Sequence, residues 1–339
     1  MTRYVEPFFL GEKKFANNII YAPLAGCSDF PFRKMSCSFQ PGLVFCEMTK
    51  MDALARYDPN TFRLLDYEPS MHPIGAQICG SKVELARPSA KIIEDLGFDV
   101  LDLNCGCPVD KVTKDGSGSG LLLHPEKIGD ILNEMIQAVN IPVTLKIRVG
   151  WDEQNLHAVK ITKIAEEVGA AGIFIHGRTR AQGYTGLANR LRIKECADVA
   201  QSMPVIGNGD IFDVPSAVDM FDTTGCDGLL IARGCMGRPW MVDEIRRYYQ
   251  NRAEWIASSS EYLMKHAQYI VRYRGTKGAL LDLKRVGCWY LKQSPGAKSL
   301  RKQLTSSGSA EEALNVIHTF CQASEQNSFD EIQKNAILN

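Results

Sequence analysis

Several features that would settle the class of this chain at a glance are missing. The N-terminal stretch MTRYVEPFFLGEKK has no apolar segment of the kind that makes a secretory signal. Nowhere does the sequence approach the roughly 18 consecutive apolar residues of a membrane span. Its six histidines are scattered and no two cysteines form a CxxC pair, so no zinc site or other metal site is indicated. The 11 cysteines are odd in number and dispersed, which excludes a regular disulfide framework and suits reduced thiols in a cytoplasmic protein. The GxGxxG fingerprint of a doubly wound dinucleotide-binding sheet is also absent. Formal net charge is +0, so the chain as a whole declares neither an acidic nor a basic partner.

What is present is a long alternation. The chain has 339 residues and is 45% hydrophobic, enough for a large core. Short β-branched runs recur eight times, at NIIYAPL (18–24), GLVFCEM (42–48), IGAQI (74–78), VLDLN (100–104), VTLKI (143–147), GIFIHG (172–177), PVIGNG (204–209) and GLLIA (228–232). Helical periodicity fills several of the intervals, as in PEKIGDILNEMIQAV and HAVKITKIAEEVGA. Eight strand-to-helix alternations predict a parallel sheet closed into a (β/α)8 barrel, the TIM barrel. The Gly-rich stretch DGSGSGLLL (115–123) reads as a mobile loop. Beyond Arg238-Pro239-Trp240 the strand pattern stops and helical segments take over. The expected division is a barrel over residues 1–244 and a smaller all-helical domain over 245–339.

The neutral total hides an asymmetry. From Glu244 to Lys302 there are thirteen Lys or Arg against four acids, a local charge of +9 that the remainder balances with −9. Tyr248, Tyr249, Trp255, Tyr262, Tyr269, Tyr273, Trp289 and Tyr290 are interleaved with these cations. Such a segment is either a nucleic-acid grip or an ordinary helical bundle with a solvated basic face and an aromatic core.

In a barrel the chemistry lies at the C-terminal ends of the strands. Those ends carry Pro23, Glu47, Gln77, Asn104 to Cys107, Lys146 and Arg148, His176 and Arg178, Asn208 to Asp210, and Arg233. The ring has amides, cations and a thiol, and no paired carboxylates of the glycosidase kind. Gly209, Gly234 and Gly237, beside Asn208 and Arg233, sit in the loops after strands seven and eight, the usual phosphate site of this fold. A phosphate there, with Gln77 for ring contacts and Lys146 for a negative charge, suits flavin mononucleotide (FMN). A non-redox phosphosugar ligand fits the same spacing.

A series of motifs narrows this. APLAGCSDFPFR, EMTKMDAL, QICG, DLNCGCPVDKV, GSGLL, VTLKIRVGW, IHGRTR, PVIGNGDI and ARG…GRPW resemble, in order and spacing, the tRNA-dihydrouridine synthases, the bacterial B type most of all. The resemblance is close over roughly residues 10–245 and looser in the helical tail. It implies an FMN-binding barrel followed by a helical domain that grips tRNA, with reduced FMN saturating the C5–C6 bond of particular uridines and NADPH or NADH as transient electron donor. It also implies flavin contacts at Ala22, Pro23, Leu24, Gln77, Lys146, His176, Asn208, Gly209, Asp210, Ala232 and Arg233. The catalytic cysteine, the one directly before proline, falls on Cys107. Hydride added to uracil C6 requires a proton at C5, and a thiol, protonated in the main at neutral pH, suits that role. Cys105 reads as a packing residue. No metal and no membrane are implied, and a monomer is expected.

Three departures from the family pattern stand out. Leu24 replaces a frequent methionine, Ala232 replaces a glycine before the arginine, and Ala188-Asn189-Arg190 stands where many relatives end a segment in Asp-Trp. A base inside folded RNA must be flipped out to reach such a pocket, which favours the grip reading of the basic tail. The alternatives are an FMN barrel acting on a small molecule, like dihydroorotate dehydrogenases or enoate reductases, and a non-enzymatic RNA-binding protein.

Overall fold

The computed structural model describes residues 4–253, 257–293 and 297–322. Glu254 and Trp255, counted above in the basic tail, lie outside the described residues. The chain divides into two compact units, Met1–Gly234 with Met241–Ala253, and Cys235–Trp240 with Glu254–Asn339.

The first unit opens with a hairpin, β1 (Phe8–Leu10) and β2 (Lys13–Phe15), which the hydrophobic pattern did not announce because each strand is only three residues long. Eight parallel strands follow at the eight expected places: β3 (Ile19–Tyr21), β4 (Leu43–Lys50), β5 (Ile74–Cys79), β6 (Val100–Cys105), β7 (Val143–Arg148), β8 (Gly172–His176), β9 (Val205–Asn208) and β10 (Gly228–Ile231). They close into a barrel in chain order, β10 pairing with β3. Helices such as Ala86–Asp95, Pro125–Ile136 and Ala158–Glu167 alternate with the strands, burying Ile93, Ile131 and Ile161 among their apolar residues.

Because side chains alternate along a strand, every second residue faces the barrel interior. The lower interior is apolar: Ile20, Leu43, Phe45, Val100, Phe174, Ile206 and Leu230 form one buried cluster with Phe8, Leu10 and Phe15 of the hairpin. The hairpin thus plugs the end of the barrel away from the catalytic loops. Gly75 and Gly172 make this packing possible, since a Cβ at Gly75 would lie 2.4 Å from Phe45 and one at Gly172 2.8 Å from Leu10. Continuing the same alternation upward turns Val100 into Asp102 and Asn104, and Ile206 into Asn208. The interior therefore changes from apolar to polar partway along the same strands.

The second unit is helical. It contains helices Ser259–Gly278, broken at Gly275 by a φ of 68°, Leu280–Tyr290 and Ala297–Ser306, and residues 310–322 are also helical. Leu263, Ile270, Leu283, Val286, Leu304 and Ile317 are buried in it. Several of the interleaved aromatics point inward: Trp240 lies 5.2 Å from Tyr262 and 6.0 Å from Tyr290, ring centre to ring centre. Gly237 packs on the backbone of Trp289, where a Cβ would sit 2.5 Å from the carbonyl carbon. That glycine is required by packing within this unit rather than by a ligand, contrary to the sequence reading. Gly234, in the first unit, is likewise explained by protein, the Ile211 carbonyl oxygen lying 2.1 Å from where a Cβ would be.

No helix among the described residues is long and apolar enough to cross a membrane. Among the same residues no group of three His, Cys, Asp or Glu is placed to hold a metal ion.

Candidate active site

The polar upper interior is built outward from β6. Asp102 is 1% exposed, and its carboxylate accepts hydrogen bonds from Gln77 Nε2 on β5 at 2.7 Å and from Thr144 Oγ1 on β7 at 2.8 Å. Gln77 Oε1 accepts from Asn104 Nδ2 at 2.7 Å. Asn104 Oδ1 in turn accepts from the backbone N–H of Gly106 at 3.1 Å and of Cys107 at 2.9 Å. A continuous chain of side chains therefore runs from the barrel interior to the Cys107 loop. Burial pushes the Asp102 carboxyl up to about 7, against the pull of its two donors and of Lys146.

Cys107 is held from its other side as well. Its carbonyl accepts from Ser119 N at 3.1 Å and Ser119 Oγ at 2.9 Å. The Gly-rich stretch expected to be a mobile loop is instead a 3-10 helix, Gly118–Leu123, with Gly118 to Leu122 buried. Gly118 has φ 57°, and a Cβ there would lie 2.9 Å from the Cys107 carbonyl oxygen. The glycine serves close approach beneath Cys107, not flexibility. Cys107 is partly exposed, whereas Cys105 is fully buried and its thiol is pushed up by desolvation. The two cysteines therefore differ in access to solvent.

On β7, next to β6, and after β8 and β10, four cations gather. Lys146 pairs in register with Asn104, and burial together with the neighbouring Arg148 lowers its ammonium to about 8, against the opposing Asp102. Arg148 is buried and donates to the carbonyls of Gly106 at 3.0 Å, Thr179 at 2.7 Å and Gly183 at 2.9 Å, so it ties the Cys107 loop to the loop after β8. Arg178, also buried, donates to the Gly186 carbonyl at 2.6 Å and to both oxygens of Asp210 at 2.9 and 2.7 Å. Arg233 meets the same Asp210 at 3.0 Å and stacks over Tyr184 at 4.5 Å and Phe212 at 5.3 Å. His176 sits among them, 7% exposed, and desolvation plus these four cations lowers its imidazole well below the usual range. That environment favours the neutral ring. Arg178 can only donate, so its contact at 3.4 Å makes His176 Nε2 an acceptor and leaves Nδ1 with the proton.

The remaining expected residues take definite places. Ala22 N donates to the Ile231 carbonyl at 2.9 Å, closing the barrel beside Pro23. Leu24 N donates to Ser28 Oγ at 2.9 Å, and Glu47 accepts from Gly26 N, which pins the turn after β3. Asn208 Nδ2 donates to the Leu230 carbonyl at 2.6 Å, and Gly209 follows with φ 122°. Asp210 spends its carboxylate on Arg178, Arg233 and Ala188 N, at 2.8 Å for the last. The two arginines hold that carboxyl below its ordinary range, with the Ala188 hydrogen bond the largest favourable cause, against desolvation. Ala232, where a glycine is frequent, packs its methyl on the interior cluster. The divergent Ala188-Asn189-Arg190 segment is anchored: Asn189 caps the helix Arg190–Val199, and Arg190 pairs with Asp219 at 2.5 Å.

Sequence reasoning did not single out Asp102, Thr144 or Ser119. Period-two counting back from Asn104 and Lys146 would have put Asp102 and Thr144 on the inner face, but only pairing across strands reveals that they meet.

This is a barrel whose upper interior offers amide donors, a neutral histidine and a surplus of fixed positive charge beside an accessible thiol, the makings of a site for an anionic heterocyclic cofactor and a reducible ring. Comparison with known proteins agrees. The family model described as "Dihydrouridine synthase (Dus)" matches residues 20–328, and the chain belongs to that family. It is 36% identical over 303 residues to tRNA-dihydrouridine synthase B of Pseudomonas putida, covering 88% of this chain and 89% of the relative. It is 38% identical over 298 residues to the synthase B of Pseudomonas syringae pv. tomato, covering 86% and 88%. With that of Vibrio cholerae it shares 33% over 316 residues, covering 92% and 98%. Among solved structures the barrel is similar to TcOYE with pHBA (TM-score 0.56, 14% identity, 79% of this chain and 98% of that one). It is also similar to histamine dehydrogenase from Rhizobium sp. 4-9 (TM-score 0.58, 13% identity), covering 78% of this chain and half of that one. At such identities these two likenesses speak for the fold alone.

Proposed function

We propose that this chain reduces uridines of tRNA to 5,6-dihydrouridine with bound FMN, NADPH or NADH restoring the reduced cofactor. The observation that carries the reading is the Cys107 loop, held between Asn104 and Ser119 at the rim of a donor-lined, positively charged barrel mouth. The residues present fit FMN. Four cations, Lys146, Arg148, Arg178 and Arg233, surround His176, while Asp210 pairs with only two of them. That leaves positive charge for a phosphate and for an anionic ring. Arg233, with the backbone at Asn208 and Gly209 and the loop after β10, would hold the phosphate. Ala22, Pro23 and Leu24 would flank the cofactor, Gln77 and Lys146 would contact its ring, and His176 would offer Nδ1–H.

Bound reduced FMN supplies the hydride for uracil C6. The chain's own contribution is at C5: the Cys107 thiol gives up its proton to that carbon, and the resulting thiolate lies in the field of Lys146. Asn104 and Ser119 fix the backbone of Cys107, so the thiol approaches from a defined side. In the second unit, Arg272, Lys277, Lys292, Lys298, Arg301 and Lys302 are exposed and would meet RNA phosphates. The protein would work as a cytoplasmic monomer, residues 1–244 supplying the chemistry and 245–339 the grip.

The test is direct. Purified protein should be yellow, with FMN released on denaturation, and should form dihydrouridine in tRNA isolated from cells lacking the gene when NADPH is supplied. A colourless protein that leaves such tRNA unchanged would refute the reading. A yellow protein that reduces enoates or oxidises dihydroorotate but leaves tRNA unchanged would replace it with the small-molecule alternative.

A further inference from the structure

The chain Thr144–Asp102–Gln77–Asn104–Cys107 has a direction, and its two ends set it. At the upper end the donors are backbone N–H groups of Gly106 and Cys107, which cannot accept, so the Asn104 group facing them must be its carbonyl oxygen. That places Asn104 Nδ2 toward Gln77, where only Oε1 can receive it, at 2.7 Å. Gln77 Nε2 is then left facing Asp102, which accepts it at 2.7 Å. Every amide in the chain is thereby oriented the same way. An acceptor at position 102 is what closes the sequence, because Gln77 in the opposite orientation would set its oxygen against the Asp102 oxygen and its NH2 against the Asn104 NH2.

The donor count that follows is specific. Asn104 Oδ1 accepts two hydrogen bonds, which fills it, and Gln77 Oε1 accepts one, while each side-chain NH2 spends one of its two hydrogens. Each amide keeps one N–H for a ligand. Carbonyl oxygens on a pyrimidine-type ring are the groups such donors recognise. A ring amino group would find no complementary acceptor on Asn104.

We infer that Asp102 is a positioning residue, buried behind the site, that sets this polarity so that Gln77 and Asn104 offer N–H donors to the carbonyl-bearing rings held in the barrel mouth. It touches neither the thiol nor the loop, and acts through two amides. What it must supply is an acceptor oxygen aimed at Gln77, not a charge. The inference rests on reading the mouth as the site of FMN and uracil, and it adds a residue to which the family resemblance assigned no part.

The experiment compares Asp102→Ala with Asp102→Asn. Asparagine keeps an oxygen for Gln77 and turns its NH2 to Thr144, whose hydroxyl accepts as readily as it donates, so the chain survives. Alanine removes the acceptor and frees the Gln77 amide to rotate. FMN affinity of the flavin-stripped proteins, read by quenching of flavin fluorescence, should fall about tenfold in Asp102→Ala, as expected for one buried hydrogen bond lost. Asp102→Asn should recover most of that loss. The visible spectrum of bound FMN should shift in the alanine variant and return in the asparagine variant.

Equal loss in both variants would show that charge beside Lys146, not acceptor polarity, is what matters, and would overturn the inference. So would an alanine variant that binds FMN as the wild type does. Should Asp102→Ala not fold, Gln77→Glu carries the test. A carboxylate there cannot donate to Asp102, so FMN affinity should fall at least about tenfold, and adding Asp102→Asn should restore at least about threefold by supplying a donor. No recovery in the double variant would overturn the polarity argument. Wild-type protein that takes up no FMN would instead fault the functional reading, so the two failures are distinguishable.

Discussion

The cations of the barrel mouth and those of the helical unit are the same residue types in opposite settings. Arg148 and Arg178 are each 2% exposed and are locked by backbone carbonyls or by Asp210. Arg272, Lys277, Lys298, Arg301 and Lys302 stand in solvent on their helices. A buried, hydrogen-bonded cation acts on atoms a few ångströms away and is poorly screened by salt, whereas an exposed one acts by releasing counterions from a polyanion. The difference teaches that net charge says little here. Not every basic residue of the second unit is free for RNA either: Arg274 and Arg285 both pair with Asp282, at 2.8 and 3.0 Å.

The sharpest way to break this division is at Cys107. Cys107→Ala should lower single-turnover dihydrouridine formation by at least about 10²-fold, the usual loss for a general acid. FMN content and the salt dependence of tRNA binding should stay at wild-type values. Activity retained in this variant would remove the thiol from the mechanism.

Lys146→Met comes next. Reduction by NADPH, followed by stopped flow, should slow roughly 10- to 100-fold as a charged hydrogen-bonding partner is lost. A pH series sharpens the point. Lys146 has its pKa lowered to about 8, so its charge is present below that value and is lost as pH rises through it. The wild-type reduction rate should therefore fall above pH 8, and the methionine variant should lack that step. An identical pH profile in both would make Lys146 a packing residue.

In the helical unit the effect is smaller and of another kind. Replacing Lys298, Arg301 and Lys302 on the helix Ala297–Ser306 with glutamine should flatten the slope of log affinity for tRNA against log salt by about 2, at roughly 0.7 to 0.9 per phosphate contact. NADPH oxidation in the absence of tRNA should not respond. An unchanged slope with a lowered melting temperature would return these residues to a structural role and blur the comparison. The smallest effect belongs to Cys105→Ala, which should cost about 1 kcal/mol of stability, seen as a lower melting temperature, and leave turnover intact.

Much of this molecule was legible in one dimension. Eight β-branched runs separated by helical periodicity specify eight parallel strands, since a crossover long enough for a helix forces parallel pairing and closure into a barrel. The motif series nominated residues at the strand ends as the site, and Cys107, directly before Pro108, as its thiol in preference to Cys105. Local pattern misled where a residue's reason lies elsewhere in the chain. DGSGSGLLL has the composition of a loop, yet Gly118 is needed because Cys107 packs against it. Gly237 has the setting of a ligand contact, yet the Trp289 backbone fills the space a Cβ would take.

Only the tertiary structure decided which polar groups satisfy one another. Asp102, Gln77 and Thr144 are 25 and 42 positions apart, and strand register alone brings them into one layer. Asp210 draws Arg178 and Arg233 together across 32 and 23 positions. Periodicity determines which face of a strand a residue occupies, a local property that the sequence carries by itself. A hydrogen-bond partner is determined by which strands become neighbours and at what offset, and that is settled only when the barrel closes.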